Sequence, residues 1–283
     1  MTLTLSNATA SDNTGAPDNT GRLKALRMRI ARMENISGAH AGNGVFPLGA
    51  PEIDAALPWG GLPAGCLHEI SGASERDSAA AVFAAFVLAR LAGCESAEAS
   101  AHRPVLWITP GPGPYAPALP AFGLDPARVT LVRARRPVDA LWALEEALRC
   151  ADLAGVVAEN AGPDFPASRR LQLAAADSGV TALLLRPEAR ALSTSALPTS
   201  ALPASAAVTR WRVRPRSSVP GPVAHGSREK TLGAARWQLE LLRCRGGRPH
   251  QWQIEWRHEA NRLRVAADAC DRSSDAGVRQ AAA

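Results

Sequence analysis

The sequence predicts an α/β fold: a mostly parallel central sheet with helices on both faces and an antiparallel hairpin at its C-terminal end. Three observations predict it. Short apolar runs alternate with helical patterns between positions 66 and 185. That order makes strands parallel, because each intervening helix carries the chain back across the sheet. After position 208 the hydrophobic period drops to two, the period of strands with one buried face. Finally, positions 67–80, L-H-E-I-S-G-A-S-E-R-D-S-A-A, have the strand–loop–helix layout of a phosphate-binding loop.

Taken in order, residues 1–21 are rich in Ser, Thr, Asn and Asp, and are expected to be disordered. Residues 22–34 are expected to form a basic amphipathic helix, with Leu23, Leu26, Ile30 and Met33 on one face. A Gly-rich linker runs to position 44. A basic helix on a tether suits either docking to a partner or packing on its own domain. The core is expected over 45–258. Within it, 66–70, 105–108, 129–132, 155–158 and 181–185 read as strands. Residues 77–92, 137–150 and 167–178 read as helices, and 115–122 as a short one. The 137–150 helix starts at a proline and lines up Leu141, Leu144, Ala147 and Leu148. Low-complexity inserts are expected at 188–206 and 216–233. Residues 208–213 form another strand. Strands 237–243 and 252–256 flank Gly246-Gly247, and Trp252, Ile254 and Trp256 share one face, so they read as a hairpin. From 259 to 283 the chain is polar and Ala-rich, and a disordered tail is expected.

The composition narrows the function. The net charge is +6 and almost wholly arginine, since lysine occurs only at Lys24 and Lys230. A basic surplus suits a nucleic-acid surface or an acidic partner, and equally suits the solvated faces encoded by a high-GC genome. Five scattered cysteines contain no C-x-x-C pair, so a reduced, cytoplasmic protein is expected. The histidines have no metal-ligand spacing, and no G-x-S-x-G elbow occurs. Neither metal nor cofactor is expected. The apolar stretch 79–92 is interrupted by Arg90 and is too short to span a bilayer. The N-terminus lacks the basic and apolar regions of a signal peptide.

The phosphate loop has lost its chemistry. A working loop reads G-x-x-x-x-G-K-[ST]. Gly72 holds the first position, but Asp77, Ser78 and Ala79 hold the last three. A serine replaces the phosphate-binding lysine, and an alanine methyl replaces the Mg²⁺-binding hydroxyl. Asp77 places a carboxylate where phosphates would approach, and like charges repel. No catalytic residue is expected. Arginine clusters offer contact surfaces instead: Arg210, Arg212 and Arg214 alternate along one strand, and Arg243, Arg245 and Arg248 surround the hairpin turn. Arg133, Arg135 and Arg136 end a strand, and Arg169-Arg170 open a helix. Such clusters bind phosphate backbones or acidic proteins. The hairpin cluster reads better as a protein contact.

Residues 51–72, P-E-I-D-A-A-L-P-W-G-G-L-P-A-G-C-L-H-E-I-S-G, resemble the entry to a RecA-type ATPase core. Five blocks in order (L-P-W-G-G-L-P-A-G-C-L-H-E, F-G-L-D-P-A-R-V, A-L-W-A-L-E-E-A-L-R-C, S-R-R-L-Q-L-A-A and L-L-R-C-R-G-G-R-P) resemble the ImuA family more specifically. These are RecA/SulA-like accessory proteins of SOS-induced translesion synthesis. The resemblance covers about 45–257 and implies a RecA-like core with a degenerate P-loop. It places Gly111 where RecA has its catalytic glutamate, and Glu159 at a Walker B-like position. Without its lysine and hydroxyl partners, Glu159 reads as a helix cap or a solvated strand end. The segments matching the RecA DNA-binding loops, 160–168 and 187–206, are nearly uncharged, which argues against strand exchange. The partners implied are ImuB together with an error-prone replicative-type polymerase, and RecA, with DNA contacted only weakly or indirectly and no membrane. A SulA-type inhibitor of cell division that binds FtsZ is the alternative. An active RecA-like DNA-dependent ATPase is disfavoured by Asp77, Ser78 and Ala79.

Overall fold

The computed structural model describes residues 44–72, 78–93, 103–186, 203–218, 233–257 and 262–266. The expected basic amphipathic helix, with Leu23, Leu26 and Ile30, lies outside these residues, as does Asp77. A two-stranded ribbon, β1 (Val45–Phe46) with β2 (Leu62–Pro63), encloses the short helix α1 (Pro51–Asp54). The rest is organised on one nine-stranded sheet.

The strands are β3 (Leu67–Gly72), β4 (Val105–Thr109), β5 (Val129–Arg133), β6 (Gly155–Glu159), β7 (Thr181–Arg186), β8 (Thr209–Arg216), β9 (Arg236–Cys244), β10 (His250–Arg257) and β11 (Arg262–Val265). Their order is β11-β10-β9-β8-β3-β7-β6-β4-β5. Neighbours from β5 to β8 pair parallel, and β8 to β11 pair antiparallel. The parallel core with an antiparallel extension, and a helix that follows β3 in sequence, is the RecA-like architecture expected from the sequence.

Helix α2 (Ala79–Leu91) covers one face of the sheet; α3 (Pro137–Ala147) and α4 (Phe165–Ser178) cover the other. Side-chain alternation divides the strands between the two cores. Ile70, Trp107, Val157 and Leu183 face α2, while Leu67, Ile108, Val156 and Leu184 face α3 and α4. Helix α2 is apolar nearly all round because the antiparallel strands close over it. Phe86 meets Trp256 edge-on at 5.4 Å, and Phe83 lies 5.8 Å from Trp211. Each such pair contributes about 0.5–1.5 kcal/mol beyond burial alone. Helix α4 starts at Asp164, whose carboxylate accepts the Ala167 N–H at 2.8 Å, and stops at Gly179 with φ 78°.

Three expected boundaries are corrected. The tail from 259 includes β11, which pairs antiparallel with β10 and buries Leu263. Residues 203–206 of the first expected insert belong to the core, with Ser205 and Ala206 buried. The strand expected to end at 213 continues through Arg216, into the second expected insert.

Candidate functional site

Parallel strands deliver their C-terminal ends to one edge of the sheet, where ligands of open α/β folds bind. That edge carries Gly72, Thr109, Arg133, Glu159 and Arg186. Gly72 is buried at the end of β3. Ser78 precedes α2 with its side chain exposed and making no cap hydrogen bond. The Ala79 methyl is buried in the core and presents no oxygen.

Glu159 is neither a helix cap nor a solvated strand end. It is half-buried, and both carboxylate oxygens accept hydrogen bonds from β4: Trp107 Nε1–H at 2.7 Å and Thr109 Oγ1–H at 2.7 Å. Thr109 Oγ1 in turn accepts the Gly111 N–H at 3.1 Å. The Walker B-like carboxylate thus ties β6 to β4 and to the turn that follows it. Trp107 is fully buried, so its N–H must find an acceptor inside the protein.

A second carboxylate, Glu69 on β3, organises the centre of the sheet. It is 4% exposed and accepts Arg210 Nε–H at 2.6 Å, Ser205 Oγ–H at 2.5 Å and Arg186 Nη1–H at 3.2 Å. Arg210 is thereby withdrawn from any surface. Arg212 is buried as well, bonded to Glu240 at 3.1 Å, and Arg214 lies 3.9 Å from the same carboxylate. The strand β8 arginines do share one face, as expected, but that face lies against acids of β3 and β9. Arg210 and Arg212 are thus held within the sheet by Glu69 and Glu240, while Arg214 is only half-buried.

Around the hairpin turn, Arg243 donates to the Ser205 carbonyl at 3.0 Å, and Arg245 to the Ala206 carbonyl at 3.3 Å. They fasten the segment that brings Ser205 to Glu69. Arg248 is exposed. Of the expected arginine contacts, Arg243 and Arg248 are exposed, and Arg214 and Arg245 are half-buried.

Among the described residues no other reactive group stands out. Burial pushes the Cys66 and Cys244 thiols up to about 12, so both are neutral at physiological pH and neither is a thiolate nucleophile or ligand. His68 is buried between Thr209 Oγ1 at 2.7 Å and the Pro63 carbonyl at 3.0 Å, a core position. Among the described residues no group of three His, Cys, Asp or Glu could hold a metal ion. No described helix is long and apolar enough to cross a membrane.

Sequence reasoning missed Glu69, Trp107 and the exposed Trp142. The available signal for Glu69 was a carboxylate inside an otherwise apolar strand. Trp142 lies off the apolar stripe of α3 and is 66% exposed.

No protein-family model matches the chain. The chain is similar to two proteins named ImuA, from Caulobacter vibrioides strains NA1000 / CB15N and ATCC 19089 / CIP 103742 / CB 15. Each is 37% identical over 221 residues, covering 77% of this chain and 86% of the relative. Among solved structures, the RadB recombinase superposes with a TM-score of 0.49 and 12% identity, over 78% of this chain and 100% of that one.

Proposed function

We infer the function from one premise: this chain belongs to the ImuA family. That membership, with the RecA-like fold, supports a role associated with translesion DNA synthesis. We propose further that the protein is a non-catalytic accessory subunit. It binds ImuB and, through it, the error-prone replicative-type polymerase, with RecA as an additional partner.

One observation carries the non-catalytic reading. Both oxygens of Glu159 are engaged by Trp107 and Thr109, next to a loop that offers Ser78 and Ala79 in place of lysine and hydroxyl. A Walker B-type carboxylate works by holding a metal–phosphate assembly. Here it holds the sheet edge together.

Affinity purification of the tagged full-length chain from DNA-damaged cells tests the assignment. The expected result is recovery of ImuB with the polymerase. Recovery of FtsZ without ImuB would instead favour a SulA-type division inhibitor.

A further inference from the structure

The edge strand β5 ends in a cationic surface that the functional reading does not use. Arg133 stands opposite Thr109 in the β4–β5 register, and Arg135 follows two residues later. Two adjoining cavities share these two arginines. One, of about 390 Å³, is also lined by Val132, Asp139 and Trp142. The other, of about 300 Å³, is lined by the turn Pro110-Gly111-Pro112.

Charge accounting at this surface leaves a surplus. Every acid of α3 already has a basic partner. Asp139 is bonded to Arg136 at 2.6 Å, Glu146 to Arg149 at 2.6 Å, and Glu145 to Arg170 at 3.3 Å. Among the described residues, the side chains of Arg133 and Arg135 have no ion-pair or hydrogen-bond partner. Two adjacent unpaired guanidiniums favour an anion, and phosphate matches their planar donor geometry.

The apolar groups around them decide which anion. Trp142 exposes most of its indole in one cavity, and Pro110 and Pro112 line the other. A flat ring, a pair of cations and a second apolar wall follow one another across the surface. A nucleotide chain has that alternation, with bases on either side of a charged backbone. Duplex bases are stacked away inside the helix, so the exposed indole serves only unpaired ones. An acidic peptide would satisfy the arginines but would leave the aromatic face without a planar partner.

We propose that Arg133, Arg135 and Trp142 form a binding site for single-stranded nucleic acid, the arginines holding phosphates and the indole stacking on a base. The site lies outside the segments 160–168 and 187–206 that correspond to the DNA-binding loops of RecA. The inference rests on this geometry and does not depend on binding to ImuB.

Fluorescence anisotropy of a labelled oligo-dT, titrated with the full-length protein over a range of salt concentrations, tests it. The unmodified protein is expected to bind. The Arg133→Ala/Arg135→Ala double variant should lower the slope of log affinity against log salt by about 1.4, and the corresponding double lysine variant should restore it. Trp142→Ala should weaken binding about tenfold at fixed salt with the slope unchanged, and Trp142→Phe should recover most of the loss. All three side chains are exposed, and circular dichroism checks that each variant folds. Absence of oligo-dT binding, an unchanged salt slope in the alanine double variant, or unchanged affinity in Trp142→Ala would overturn the proposal. Preferential capture of a glutamate-rich peptide over oligo-dT would overturn it too, and would assign the surface to an acidic protein segment.

Discussion

Glu69→Ala is expected to destabilise the protein by about 3–5 kcal/mol, lowering the melting temperature on the order of 10 °C. The reason is the burial of what it leaves behind. The Arg210 side chain is 7% exposed and its Nε lies 2.6 Å from Glu69. Removing the carboxylate strands that guanidinium away from water, and Ser205 and Arg186 lose an acceptor at the same time. A buried pair is worth far less than the loss of one partner suggests, because desolvation offsets most of the attraction. Glu69→Leu with Arg210→Met should therefore cost less than the sum of the two single changes. Chemical denaturation of the four proteins measures this, and simple additivity would show that the two residues do not act as a unit.

Trp107→Ala should cost a similar amount, about 3–5 kcal/mol, because it opens a large cavity beneath α2. The more informative change is Trp107→Phe, which keeps most of the ring and removes only the N–H that Glu159 accepts. Its expected cost is about 1–3 kcal/mol. Combined with Glu159→Ala, which removes the acceptor, in a double-mutant cycle, it should give a coupling energy of about 0.5–3 kcal/mol. A coupling near zero would mean that the carboxylate does not depend on the indole, and the structural role assigned to Glu159 would fail.

The sequence reveals the order and type of the core elements because they are long and strongly periodic. Val105–Thr109 and Thr181–Arg186 each extend only one residue past their apolar runs. The short strand β11 is hidden. Arg262, Leu263, Arg264 and Val265 alternate, but four residues become a strand only when β10 supplies the partner. The arginines of β8 show the same gap at the site. Alternation reveals that Arg210, Arg212 and Arg214 share a face, yet it does not reveal what covers that face. The covering acids, Glu69 and Glu240, lie on strands distant in sequence. The replacement of the motif's lysine and hydroxyl was legible at Ser78 and Ala79, since a motif needs particular atoms at particular positions. The fate of Glu159 was not, because its partners Trp107 and Thr109 lie about fifty residues away.

The central claim is that a RecA-like scaffold persists here after its nucleotide chemistry has been lost. Isothermal titration of the full-length protein with ATP and Mg²⁺ tests it most directly. No saturable binding is expected. A micromolar dissociation constant, weakened by Glu159→Gln, would contradict it.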